Sequence, residues 1–236
     1  MKAMILAAGL GTRLKPFTDN HPKALVEVNN KPILLRNIEY LRSFGINEII
    51  INVHHFANQI IDFIQENNIP NILISDETDE VLETGGGLKK ASYLLEDSNP
   101  FVLMNVDILT NLDLGQMILS HQEKNPIATL GVSKRESSRC LLFNEKNELC
   151  GWRNKNTNEE KISQKEINYN EFAFSGIHII NPTIFKLMKQ EGKFSMVDVY
   201  LELAKTEKVI GYDHTGSHLI DVGKPESILK AASIFK

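Results

Sequence analysis

Near the amino terminus a short apolar run, Ala3-Met4-Ile5-Leu6-Ala7-Ala8, breaks off in Gly9-Leu10-Gly11-Thr12-Arg13, and Pro22-Lys23 follows. Small side chains at Ala7 and Ala8 and bare backbone at Gly9 and Gly11 let an anion approach main-chain N–H groups, while Arg13 and Lys23 add fixed positive charge. Arg13, Lys15 and Lys23 outweigh Asp19 here, in a chain whose net charge is −4. Positive charge this local suits a phosphate-bearing ligand better than an extended polyanion. Three further stretches carry chemistry-bearing residues. Glu83-Thr84-Gly85-Gly86-Gly87 opens a helix with three glycines, which is costly unless backbone must approach something closely. Asp107 and Asp221 each follow an apolar strand, where a carboxylate can hold Mg²⁺ together with phosphate oxygens. Each feature has an ordinary alternative on residue types alone: a plain turn at Gly9 and Gly11, a flexible loop at Gly85 to Gly87, turn or helix-capping aspartates at 107 and 221.

Two familiar phosphate-binding patterns are excluded. A dinucleotide fingerprint requires a third glycine where Leu14 stands, and a Walker-type loop requires a Gly-Lys-Ser/Thr ending that this chain lacks. His54 and His55 close a strand, but neighbours in an extended chain point to opposite faces and do not readily share a metal. The other five histidines show no ligand spacing either.

The elements that position these residues alternate. A strand over Ala3 to Ala8 is followed by a short strand from Ala24 to Val28, and Pro32 starts a helix to about Phe44, closed by Gly45. Strand Glu48 to Val53, helix Ala57 to Glu66, strand Ile72 to Ser75, strand Pro100 to Asp107 and helix Leu114 to Lys124 come next. From Ile127 the pattern turns to β: Ile127 to Ser133, Cys140 to Phe143, Glu148 to Trp152 and Phe172 to Ile180. Residues 153–169, dominated by Asn, Lys and Glu, read as a solvated loop. Helices from Pro182 and Ser195, strands Val209 to Tyr212 and His218 to Ile220, and a last helix from Pro225 complete the chain. The fold class is α/β: a Rossmann-like, mixed and mostly parallel sheet flanked by helices, with a β-rich second half.

With 236 residues and 42% hydrophobic side chains, one substantial core is expected, hence a single domain over 1–236. No apolar run approaches the roughly 18 residues of a membrane span, and the N-terminal strand is not a cleavable leader, so a cytoplasmic location is expected. Cys140 and Cys150 are read as free thiols. The charge, without a basic stripe, argues against a nucleic-acid partner.

The run Leu6 to Thr18, with Pro22-Lys23-Ala24-Leu25 after it, closely resembles the N-terminal motif of the sugar-1-phosphate nucleotidyltransferases. The resemblance implies that Ala7, Ala8, Gly9, Gly11, Thr12 and Arg13 hold the triphosphate of an NTP and that Lys23 sits on the attacked phosphate, making Arg13 and Lys23 the catalytic pair. It places Glu83, Gly85 and Gly86 beside the base, and Asn105 with the nucleotide. Asp221-Val222-Gly223-Lys224-Pro225 resembles the family's Asp-Val/Ile-Gly-Thr-Pro, with lysine for threonine, so Asp107 and Asp221 become two ligands of one Mg²⁺. Asn105-Val106-Asp107 departs from the family's usual Gly-Asp at the residue before the aspartate.

Residues 1–125 then form the nucleotide half and 126–236 the sugar-phosphate half, in which Ser175 and Gly176 border the sugar phosphate and Trp152 is a stacking platform or a core residue. The family's Glu-Lys-Pro sugar segment is absent. Glu83 to Gly87 resembles most the branch acting on muramate-type and other hexose 1-phosphates, and with Gly151-Trp152-Arg153 it favours UTP over GTP. The implied partners are an NTP and a sugar 1-phosphate, and the implied assembly a monomer or homodimer. No repeat of short apolar turns follows Pro225, so an appended β-helical domain is not expected. A cytidylyltransferase for an alcohol phosphate or choline phosphate stays open. So does a non-catalytic nucleotide-binding regulator, which the presence of Lys23, Asp107 and Asp221 disfavours.

Overall fold

Ala3 and Ile5 point to one face of the first strand and Met4 and Leu6 to the other, and all four are buried. Burial on both faces explains why this strand reads as a continuous apolar run. The computed structural model describes residues 1–236. Its strands are β1 (Lys2–Leu6), β2 (Glu27–Val28), β3 (Lys31–Pro32), β4 (Glu48–Val53), β5 (Ile72–Asp76), β6 (Phe101–Asn105), β7 (Ile108–Thr110), β8 (Ala128–Ser133), β9 (Arg139–Phe143), β10 (Leu149–Asn154), β11 (Glu159–Ile162), β12 (Asn170–Ile180), β13 (Val209–Asp213) and β14 (Leu219–Asp221). The helices are α1 (Ile33–Ser43), α2 (Ala57–Glu66), α3 (Glu83–Lys90), α4 (Leu114–Lys124), α5 (Ile184–Leu187), α6 (Met196–Leu203) and α7 (Pro225–Ile234).

The main sheet runs β11-β10-β9-β12-β6-β1-β4-β5, with β8 and β13 joined through β12. Strands β6, β1, β4 and β5 are mutually parallel, each crossover filled by helices. β12 turns the sheet from one grammar to the other: Ile177 to Ile180 pair antiparallel with β6, while Asn170 to Phe172 pair with β9. Helices α1, α2, α4 and α7 pack on the face of Ala3 and Ile5; α3, α5 and α6 pack on the face of Met4 and Leu6. The two cores therefore divide by sheet face and not by chain half. No helix is long and apolar enough to cross a membrane.

Four local expectations are corrected. Lys23–Leu25 forms a 3-10 turn, and only Glu27–Val28 is extended, pairing with Lys31–Pro32 around Asn29 and Asn30 at positive φ. Residues 100–107 do not form one strand; the chain breaks after Asn105, leaving Asp107 in a turn before β7. Within 153–169, β11 pairs with β10 as a hairpin turned by Asn158 at φ 57, and its four residues are all exposed. A strand with no buried face has no apolar alternation by which to be recognised. The helix expected from Pro182 to Lys189 is the single turn α5. Cys140 and Cys150 are free and buried.

Candidate active site

The carboxyl ends of β1 and β6 and the start of α3 enclose a cavity of about 360 Å³, lined by Ala8, Gly9, Lys23, Asn105 and Asp107 among others. A Cβ built on Gly9 would meet nothing within 4 Å, so this glycine leaves room above the loop. Gly11 does something else. Its φ of +66° requires glycine, and a Cβ there would press on Thr18 and on the Lys23 stem. Thr18 donates to the Gly11 carbonyl at 2.8 Å and pins the turn. Thr12 and Arg13 follow in a 3-10 turn anchored by buried Leu14.

Lys23 is ion-paired with Asp107, both side chains largely buried. Asp221 arrives by a route that strand-end reasoning did not foresee, since β14 lies outside the main sheet. β14 pairs antiparallel with β7, setting Asp221 opposite Ile108, and Val222 N–H donates to the Asp107 carbonyl at 2.8 Å. Part of Asp221 still faces solvent, yet crowding of the cleft and then the Asp107 carboxylate hold its carboxyl above the ordinary value, while Lys23 and Arg13 pull it back. Gly223 admits this arrangement, because a Cβ there would stand 2.5 Å from Asp221 Oδ1 and 3.1 Å from Arg13 Nη2. Arg13, Lys23, Asp107 and Asp221 thus share one corner. Two carboxylates brought together in one corner suit a hard divalent cation, which takes one or two carboxylates plus phosphate oxygens.

The three glycines of α3 face protein and not the cavity. A Cβ on Gly85 would overlap the Phe194 ring, and one on Gly86 the Gly192 carbonyl. The N–H groups of Gly85 and Gly86 donate to Phe194 O at 2.9 and 3.3 Å, so they are not free to read a base. Glu83, at φ 58, and Thr84 line the cavity in their place. Gly87 packs on a buried pair that sequence reasoning missed: Glu77 is fully buried and accepts from Asn52 Nδ2 at 2.7 Å, while Asn52 Oδ1 accepts from Ala7 N–H at 2.6 Å. Burial raises the Glu77 carboxyl above its usual range, opposed by the Asn52 hydrogen bond. The signal available in sequence was one polar residue, Asn52, inside the apolar strand Glu48 to Val53. Ala7 is corrected accordingly: its N–H is engaged and it does not line the cavity. His54 meets the Glu77 carbonyl at 2.6 Å, as a structural group.

A second cavity, about 340 Å³, lies between β9–β11 and α6; Ser195, the α6 N-cap, lines both. Trp152 is one wall. Ser175 is not available to it, being fully buried with its hydroxyl 2.7 Å from His214 Nε2. Gly176, at φ +71°, is pressed against Asn105, whose Nδ2 would lie 2.8 Å from a Cβ. Its need for glycine is thus set by backbone and by Asn105, a residue of the first cavity. The structure therefore brings together Ala8, Gly9, Lys23, Glu83, Asn105 and Asp107, with Arg13 and Asp221 at their edge, and sets Trp152 apart next door.

The chain matches the family described as nucleotidyl transferase over residues 2–236. It is 31% identical over 240 residues to N-acetylmuramate alpha-1-phosphate uridylyltransferase of Caulobacter vibrioides, covering 97% of this chain and 94% of that protein. It is 29% identical over 240 residues to mannose-1-phosphate guanyltransferase of Yarrowia lipolytica, covering 100% of this chain but only 64% of that relative. The crystal structure of HddC from Yersinia pseudotuberculosis complexed with GMP-PN superposes with a TM-score of 0.79 at 27% identity, covering 100% of this chain and 99% of that one.

Proposed function

Because the chain belongs to the nucleotidyl transferase family, we propose that it transfers a nucleoside monophosphate from an NTP to a sugar 1-phosphate, giving a nucleoside diphosphate sugar and pyrophosphate. The observation that carries this reading is the corner where Lys23 pairs with Asp107 across 84 positions of sequence and Asp221 faces both. An NTP laid over Gly9 brings its phosphates to Arg13 and Lys23. Lys23, held by Asp107 in the free protein, is then drawn to the phosphate under attack. A phosphate oxygen of the sugar 1-phosphate forms a bond to the α-phosphorus as the bond to the α,β-bridging oxygen breaks, and pyrophosphate leaves with the electron pair. No covalent intermediate on the chain is needed, and positioning and charge do most of the work.

Asp107 and Asp221 would hold Mg²⁺, which supplies charge neutralisation for the phosphates when bound. Glu83 and Thr84, which line the first cavity, would meet the base. UTP is favoured over GTP on the likeness of Glu83 to Gly87, since Trp152 belongs to the neighbouring cavity and Arg153 is bonded to Glu160 and Glu171. Residues 1–125 and 126–236 then serve the nucleotide and the acceptor within one domain. The test is pyrophosphate release with four NTPs against a panel of sugar 1-phosphates that includes those of N-acetylmuramate and mannose. Turnover of at least one pair, abolished by EDTA and restored by Mg²⁺, is expected; turnover only of CTP with an alcohol phosphate, or none at all, overturns the reading.

A further inference from the structure

The second cavity has a charge that the proposed transfer does not use. In the antiparallel sheet Leu141 stands opposite Trp152, and Trp152 opposite Lys161, so their side chains share one face. Arg139, two residues before Leu141 on β9, shares that face and lines the cavity with Ser137, Trp152 and Phe174. The other cations on these strands are matched. Lys161 reaches Asp198 at 2.8 Å, Arg153 holds Glu160 at 2.6 Å and also Glu171, and Lys155 reaches Glu171 at 2.7 Å. The Arg139 guanidinium has no such partner, although its backbone is fixed by Ser137, whose hydroxyl donates to Arg139 O at 2.8 Å and accepts its N–H at 3.2 Å. The exposed, unpaired Arg139 guanidinium therefore faces a cavity walled by Trp152, Leu141 and Phe174 and lined also by the mutually neutralised Lys161–Asp198 pair, large enough for part of a small ligand.

In the proposed transfer the acceptor's phosphate must reach the α-phosphorus of an NTP whose phosphates lie at the corner of Arg13, Lys23, Asp107 and Asp221, away from Arg139. Arg135, on the same loop as Arg139, leans toward that corner: it donates to Phe174 O at 2.9 Å and feels the Asp221 carboxylate. Lys23 and Asp107 line the first cavity and neither lines the second. An anion that meets Arg139 is thus a second one on the same acceptor. Guanidinium matches a carboxylate with two parallel N–H donors, and the ring faces of a sugar suit Trp152.

We infer that Arg139 selects the acceptor by binding a carboxylate that the sugar carries in addition to its 1-phosphate. This rests on the nucleotidyl-transfer reading and deepens it. The test compares matched pairs: glucose 1-phosphate with glucuronic acid 1-phosphate, and N-acetylglucosamine 1-phosphate with its 3-O-lactyl ether. kcat/KM is measured for the protein, for Arg139→Ala and for Arg139→Lys, with thermal melting to confirm folding. The acidic member of at least one pair should be preferred by about tenfold or more, as for a hydrogen-bonded charge. Arg139→Ala should bring that ratio to about one, and Arg139→Lys should keep part of it. Equal or better use of the neutral member in both pairs, or a ratio that survives in Arg139→Ala, overturns the inference while leaving nucleotidyl transfer standing. No turnover of any of the four with any NTP overturns both.

Discussion

The cleft at β1 and β6 and the cavity under β9–β11 meet at Ser195, yet they are built by opposite means. In the cleft several polar groups already have partners: Lys23 has Asp107, Asn52 has Ala7 and Glu77, and Thr84 accepts from Met196 N–H. Its geometry is set by backbone and by glycines that admit close contacts, so a ligand enters by exchanging partners. The cavity is walled by Trp152, Leu141 and Phe174 from neighbouring strands, with Arg139 unpaired, so a ligand enters by adding a contact. The first arrangement suits chemistry common to many acceptors, and the second suits choosing among them. Mutations in the cleft should therefore change turnover, and mutations in the cavity should change which acceptor is used.

The sharpest break in that contrast would come from the aspartates. Asp107→Asn and Asp221→Asn should each lower kcat by roughly a thousandfold, about 4 kcal/mol of transition-state stabilisation, with the double mutant little worse than either. Asp221→Asn should at the same time leave the melting temperature of the free protein unchanged or raised, because it removes a carboxyl that its surroundings hold above its ordinary value. Losses that add fully in the double mutant, or activity in EDTA, would separate the two carboxylates. Lys23→Ala comes next, with kcat down on the order of a hundredfold and a smaller change in the KM for NTP, as for other fixed charge donors. A well-folded Lys23→Ala protein with normal turnover would remove Lys23 from the chemistry.

Gly176→Val tests where the two regions join. At φ +71° a branched side chain is strained, and it would displace Asn105, so KM should rise roughly tenfold for NTP as well as acceptor while the melting temperature falls. Loss of acceptor binding alone, measured by calorimetric titration, would return Gly176 to the acceptor cavity. The smallest effect is expected from Trp152→Ala: a several-fold rise in acceptor KM, from lost aromatic contact worth about 1 kcal/mol, with NTP KM unmoved. An equal change in both constants would mean that the cleft and the cavity are one site.

What was written in the chain alone was local and periodic. The break from apolar strand to Gly9 and Gly11 marked the loop, the alternation of strands and helices marked the α/β layers, and aspartates ending apolar runs marked the corner, because each depends on neighbours a few residues away. Which way a group points was decided only by distant contacts. The N–H groups of Gly85 and Gly86 were taken by Phe194, Thr84 met Met196 across 112 positions, and Ser175 was turned onto His214. Asp221 reached Asp107 through the small β7–β14 ladder and not through the main sheet. β11 and Arg139 stayed hidden for a related reason: an exposed strand carries no burial pattern, and a free guanidinium differs from a paired one only in what the folded chain sets, or fails to set, beside it.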